Sequence, residues 1–205
     1  MQALHRLAGG TLTVGTAYSR FYPSLTETMV RFSRQFPGVQ VKLLEGTSSQ
    51  LAEAVTAQEA DFCIISQREG DFDWCLLQED ELIALLPADH PLARIPRVDI
   101  ETLLQDPFIT IYPSQETDNS RFFAKYGLTP AEGYSTADAL AAVHMVEAGL
   151  GFTLINAMTL EQIQDLRVIK KPLSPAAKVP IGVALTKEVV RSPAADAFYR
   201  LFFAD

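Results

Sequence analysis

Apolar and polar positions along the chain follow two periods, and each change of period marks an element. Thr11 to Gly15, TLTVG, alternates as a short strand, and from Tyr22 to Phe36 the residues Leu25, Met29, Phe32 and Phe36 recur on one helical face. Pro23 is tolerable in the first turn of that helix, and Pro37-Gly38 closes it. Val39 to Leu44 reads as a second strand. Thr47 and Gln50 have the spacing in which two side chains satisfy the free N–H groups of a first helical turn, here opening a helix that carries Leu51, Ala54 and Val55. Asp61 to Ser66, DFCIIS, is a third strand, apolar through its middle as a parallel strand covered on both faces must be. Strands separated by helices predict a parallel α/β sheet.

The run Cys75 to Ala93 reads as two short strands, around Leu76-Leu77 and Leu82 to Leu86, with a polar break at Gln78 to Glu81 and a stop at Pro87. A strand here carries the chain from one α/β lobe into another. Beyond it the pattern predicts a short helix near Asp99 to Leu104, a strand at Pro107 to Tyr112, and a helix near Asp118 to Tyr126 stopped by Gly127. Tyr134-Ser135-Thr136 then caps a helix over Ala137 to Ala148, with Leu140, Val143, His144 and Ala148 near one face, and Phe152 to Ile155 is the next strand. Arg167 to Ile169 and Pro180 to Thr186 supply two more strands. Pro193 starts a last helix that turns Ala197, Leu201 and Phe198 inward. If that helix covers the first lobe, Pro180 to Thr186 is a second crossing. The fold class is α/β, two Rossmann-like lobes joined by two crossover hinge strands. Lobe I takes residues 9–83 and 184–205, and lobe II takes 84–183.

Composition narrows the function. At 205 residues and 48% hydrophobic content the chain can bury a substantial core, yet no apolar run approaches the roughly 18 to 20 residues that span a bilayer. The N-terminus lacks the pattern of an export leader, so no membrane partner and a cytoplasmic location are expected. A formal net charge of -8 makes this a poor nucleic-acid binder by itself. Cys63 and Cys75 are too few for a disulfide framework, and Cys63, inside FCII, reads as a buried inert thiol. His5, His90 and His144 have no metal-ligand spacing. With no nucleophile elbow, phosphate loop or dinucleotide fingerprint, neither a metal, a cofactor nor an enzymatic reaction is expected.

In order along the chain, RLAGGTLTVG at Arg6 to Gly15, FPGVQVKLLEGTSSQL at Phe36 to Leu51, ADFCII at Ala60 to Ile65, LIALLPADHPLA at Leu82 to Ala93, VEAGLGFTLI at Val146 to Ile155 and SPAADAFYRLF at Ser192 to Phe202 are similar to the effector-binding, or regulatory, domain of LysR-type transcriptional regulators. The resemblance runs from Leu4 to Phe203. Asn156-Ala157-Met158 departs from the family's usual continuation after the glycine pair. It implies a type 2 periplasmic-binding-protein fold, a small-molecule effector held between the lobes, a homodimer or tetramer, and DNA contact only through an absent N-terminal winged helix-turn-helix. On that reading residues 1–8 are the remnant of a linker helix carrying Leu4 and Leu7, and the chain is a fragment of a longer protein.

Ligands of open α/β sheets gather at the C-terminal ends of strands, near helix N-termini. The positions matching the family's effector site are Thr16, Ala17, Tyr18 and Ser19 after the first strand and Gly46, Thr47 and Ser48 after the second, with Ser66 ending the third. In lobe II they are Tyr112, Ser114, Ser135 and Thr136. Free N–H groups favour a small anion, which puts organic acids among the candidate effectors, although no cation in these loops fixes a carboxylate. The competing reading of Thr47, Ser135 and Thr136 is that of ordinary helix caps, worth about 1 kcal/mol each. An exported solute-binding protein is the alternative function. An enzyme on a similar two-lobed scaffold, such as a prephenate-dehydratase-like domain, would need a positioned acid or base that the sequence does not display.

Overall fold

The computed structural model describes residues 9–163 and 165–204. The chain divides into two compact units, one built from residues up to Gln78 together with those from Pro180 onward, the other running Glu79–Val179. The divisions fall after Gln78 and after Val179, four to five residues before the boundaries expected at 83–84 and 183–184. The helix expected around Leu4 and Leu7 lies outside the described residues.

In the first unit, β1 (Thr11–Thr16) pairs in parallel with β2 (Gln40–Glu45) and with β3 (Phe62–Ser66). The last segment of β9 (Val168–Thr186) runs antiparallel to β3, with Ser66 opposite Ile181 and Phe62 opposite Leu185. β3 is buried at every position, as its unbroken apolar run requires. Helix α1 (Tyr22–Gln35) turns Leu25 and Phe32 into the core, and α2 (Ser48–Thr56) buries Leu51, Ala52 and Val55. α6 (Pro193–Phe202) returns to this unit, where Phe198 meets Phe62 at 5.2 Å and Phe32 at 5.8 Å between ring centroids. Arg31 ties the two helices by donating to the Leu201 carbonyl at 2.7 Å. Gly15 is needed where β1 passes α2, because a Cβ there would meet Cys63 Sγ at 2.8 Å and the Leu44 carbonyl at 3.0 Å.

The second unit contains the end of β4 (Phe72–Pro87), where Leu82 to Leu85 pair antiparallel with β8 (Thr153–Asn156). A two-residue strand β5 (Val98–Asp99) leads into α3 (Ile100–Leu103) and pairs with β9 at Leu173 and Ser174. β6 (Phe108–Ile111) pairs in parallel with β7 (Glu132–Thr136). Helices α4 (Asp118–Tyr126) and α5 (Ala139–Glu147) complete the unit, and its core gathers Ile83, Leu85, Ile109, Val143, Val146 and Ile155.

Three expectations about elements are corrected. The polar residues Gln78 to Glu81 do not break the Cys75 run, because β4 is continuous from Phe72 to Pro87. Its polar side chains stand on exposed or half-buried strand positions, where Glu79 pairs with Lys178 at 3.0 Å and Asp80 accepts from the Met158 N–H at 3.3 Å. The two strands expected at Arg167 to Ile169 and Pro180 to Thr186 are likewise one strand, β9. Finally, Ser135 and Thr136 do not cap a helix. They belong to β7, and α5 begins at Ala139 with Asp138 as its cap, the carboxylate accepting from the Ala141 N–H at 2.7 Å. The buried face of α5 is Ala142, Val143 and Val146, while Leu140 is 46% exposed and His144 also points outward.

Candidate functional site

The strand ends of the first unit carry a connected set of buried polar groups. β1 ends at Thr16, which is 2% exposed, and its hydroxyl closes a tight turn by accepting from the Tyr18 N–H and donating to the Tyr18 carbonyl, both at 3.0 Å. The turn is anchored across the sheet by the Ala17 N–H on the Ile64 carbonyl at 3.0 Å. It brings the Tyr18 phenol to 3.5 Å from Ser48 Oγ at the start of α2. Ser48 Oγ in turn accepts from the Ser66 N–H at 3.0 Å, joining the ends of β1 and β3 through one serine. Thr47 and Gln50 form the expected reciprocal cap, the Thr47 hydroxyl accepting from the Gln50 N–H and the Gln50 carbonyl oxygen from the Thr47 N–H. Thr47 also lies in the cluster and is 6% exposed, so capping and lining are compatible roles. Ala17, Ser19 and Gly46 are half-buried on the flanking loops.

Arg68 was missing from the sequence reading. Its guanidinium, 9% exposed, donates from Nε to Ser49 Oγ at 2.8 Å and from Nη1 to Ser66 Oγ at 2.8 Å and the Gln67 carbonyl at 3.0 Å. Arg68 follows β3 by two residues, and the Gln67 N–H on the Pro180 carbonyl at 2.9 Å turns the chain so that the side chain comes back over α2. The signal was the basic residue just past a buried strand, but nothing local shows that it folds back.

The second unit presents its candidates differently. Tyr112 follows β6 with φ at 56°, and Ser114 has φ at 65°, both in the left-handed region that non-glycine residues rarely enter. The Tyr112 N–H donates to the Thr136 carbonyl at 2.8 Å, so the two come together at the ends of β6 and β7. The Thr136 hydroxyl accepts from the Asp138 N–H at 3.2 Å. Ser114 and Ser135 are exposed, and Thr136 and Tyr112 are half-buried. A separate depression of about 680 Å³ in this unit, lined by residues such as Pro87, Asp89, Glu147, Asp165 and Arg167, contains none of the candidates. Glu147 there is held below the usual carboxylate range by the Arg167 N–H and then by His144.

The remaining titratable groups have structural roles. Burial first, and the neighbouring Asp61 charge second, push the Cys63 thiol up to about 12, which makes it inert. His90 caps the turn at Pro91–Arg94 by accepting from the Leu92 N–H, and its other nitrogen lies 3.1 Å from Asp106. Among the described residues no group of three or more His, Cys, Asp or Glu could hold a metal ion, and no helix is long and apolar enough to cross a membrane.

The pattern of the LysR substrate binding domain matches residues 5–204. An uncharacterised HTH-type transcriptional regulator, YoaU of Bacillus subtilis, is 26% identical over 201 residues, covering 98% of this chain and 69% of that regulator. The CysB transcriptional regulator of Burkholderia cenocepacia is 30% identical over 174 residues, and there the match spans 53% of the relative's length. Among solved structures, the C-terminal domain of a probable LysR family regulator from Rhodococcus sp. RHA1 superposes with a TM-score of 0.73 at 26% identity, over 95% of this chain and 98% of that one. With two compact α/β units, two strands shared between them and a match along nearly its whole length, this chain belongs to the family of LysR substrate-binding domains, the effector-binding domains of LysR-type transcriptional regulators.

Proposed function

We propose that the strand-end cluster of the first unit, Thr16, Tyr18, Thr47, Ser48 and Ser66, is where this domain senses its small-molecule effector, with Ala17, Ser19 and Gly46 on the flanking loops. The observation that carries this reading is the single serine, Ser48, that links the Tyr18 phenol to the backbone of β3. Such a cluster is held in place before any ligand arrives, and that lowers the cost of binding. Tyr112, Ser114, Ser135 and Thr136 remain proposed contacts of the second unit, to be tested separately. The effector acts by binding one conformation of the domain better than another, and the shift is passed to DNA by a winged helix-turn-helix outside this chain. The reading places the protein in the cytoplasm as a homodimer or tetramer, with no catalytic step and no cofactor. A thermal-shift screen of small organic acids and amino acids tests it: hits should lose their effect in Ser48→Ala. Hits indifferent to that change would move the site elsewhere.

A further inference from the structure

The strand ends of the second unit hold a polar pair that the sensing site proposed above does not use. Asn156 closes β8, and Asp80 stands on β4 two residues before Leu82, the residue that pairs with Asn156. β8 runs parallel to β6 with Phe152 beside Phe108, and β6 runs parallel to β7 with Ile111 beside Thr136. By that register Asn156 ends β8 at the same edge as Tyr112 and Thr136. Asp80 is half-buried there, and its Oδ1 accepts from the Met158 N–H at 3.3 Å. Its other oxygen, Oδ2, and the Asn156 amide nitrogen Nδ2 are buried atoms, and among the described residues neither has a hydrogen-bond partner. The Asn156 amide is near enough to favour the charged carboxylate, yet it closes no bond to it. The neighbouring charge that acts on Asp80 is a second carboxylate, Glu161. An acceptor and a donor buried side by side without partners cost free energy, and a buried carboxylate facing another acid costs more. A water molecule would meet both atoms but bring no charge. An ammonium group with an oxygen next to it meets both and supplies the missing cation.

We propose that Asp80 and Asn156 recognise an amine-bearing effector, its ammonium on Asp80 Oδ2 and an oxygen beside that ammonium on Asn156 Nδ2, as α-amino acids and amino alcohols present them. This rests on the sensing reading given above, and the two can fail separately. The probes are the standard amino acids and ethanolamine, each titrated calorimetrically into the domain beside its N-acetyl derivative, which lacks the ammonium. At least one amine should bind saturably, with its N-acetyl derivative about tenfold weaker or worse. Asp80→Asn, which keeps the shape of the side chain and removes its charge, should weaken that amine about tenfold and collapse its advantage over the N-acetyl form. A general loosening of the domain would not move that ratio. Asn156→Ala, a second variant that leaves the charge in place, should weaken the same amine by about threefold. Failure of every amine to bind, equal binding of amine and N-acetyl derivative, or a ratio unchanged in Asp80→Asn would overturn the proposal. An amine lost in Ser48→Ala but indifferent to Asp80→Asn would keep the first unit's site and remove this recognition. One that depends on Asp80 and not on Ser48 would keep the recognition and remove the first unit's site.

Discussion

The two units place their candidate residues at equivalent strand ends yet support them by different means. In the first, the hydroxyls are buried and each is hydrogen-bonded, mostly to backbone: Thr16, Thr47, Ser48 and Ser66 are each 6% exposed or less. In the second, Ser114 and Ser135 are exposed, and the conformation is carried by the backbone, with Tyr112 and Ser114 at φ of 56° and 65°. Polar groups inside a core cannot be removed without leaving a partner unsatisfied, whereas exposed ones can turn to water. Positive φ at a residue as bulky as tyrosine costs free energy that surrounding structure must offset, and such strain gathers at places that bind or switch. One unit therefore fixes its strand ends with buried hydrogen bonds, and the other keeps a strained loop.

The contrast can be broken by substitution, and the largest effect belongs to the first unit. Ser48→Ala strips the buried Ser66 N–H of its acceptor and should lower stability by about 1 to 3 kcal/mol in urea unfolding; a change within error would show that water reaches the site. Asp138→Ala removes the cap of α5 and should cost about 1 kcal/mol by the same measurement. Thr136→Ala, whose partner N–H can meet solvent, should cost less than about 0.5 kcal/mol. If it cost as much as Ser48→Ala, the distinction between the units would fall. Ser114→Gly should raise stability by roughly 0.5 kcal/mol, because glycine enters the left-handed region without penalty. A loss instead would mean that the serine hydroxyl makes a contact outweighing its strain.

A last effect is one of pH. Asp80 is half-buried on β4, and burial raises its carboxyl above the ordinary value of 3.8 against the opposing N–H of Glu81, Asn156 and the Met158 N–H. A raised folded-state pKa means that the native state binds the proton more tightly than the unfolded chain. The stability it contributes is present below 3.8 and lost as pH rises through the folded value. Asp80→Asn should flatten that fall and add less than about 1 kcal/mol near neutrality, after allowing for solvent screening. An unchanged pH profile between 3 and 6 would show that Asp80 titrates as it does in the unfolded chain.

What could be read from the sequence followed how local each cause is. The Thr47–Gln50 cap and the helix from Asp118 to its left-handed Gly127 stop depend on residues within one turn of each other, and both stand where the pattern put them. The sequence alone does not distinguish a cap at Thr136 from one at Asp138, because both residue types cap helices well. Pairing of β7 with β6, with Thr110 opposite Ser135 and Ile111 opposite Thr136, decided between them. The polar stretch Gln78 to Glu81 looked like a break because exposed strand positions and turns draw on the same residues. Within the candidate site, the hydroxyls at strand ends were legible from the order of elements. Arg68 was not, because its meaning comes from a fold that returns its side chain to Ser49, 19 residues earlier.

The return of α6 to the first unit also bears on how the chain is made. Phe198 packs against Phe62 and Phe32, and the end of β9 supplies the strand beside β3. On the ribosome, every residue of the second unit emerges before these pieces exist. The middle of the protein can settle while its opening third still waits for a partner strand and helix. A premature stop shortly before Ser192 would spare the later-starting unit and leave the earlier one with the open face of Phe62, the kind of exposed apolar surface that chaperones and proteases recognise.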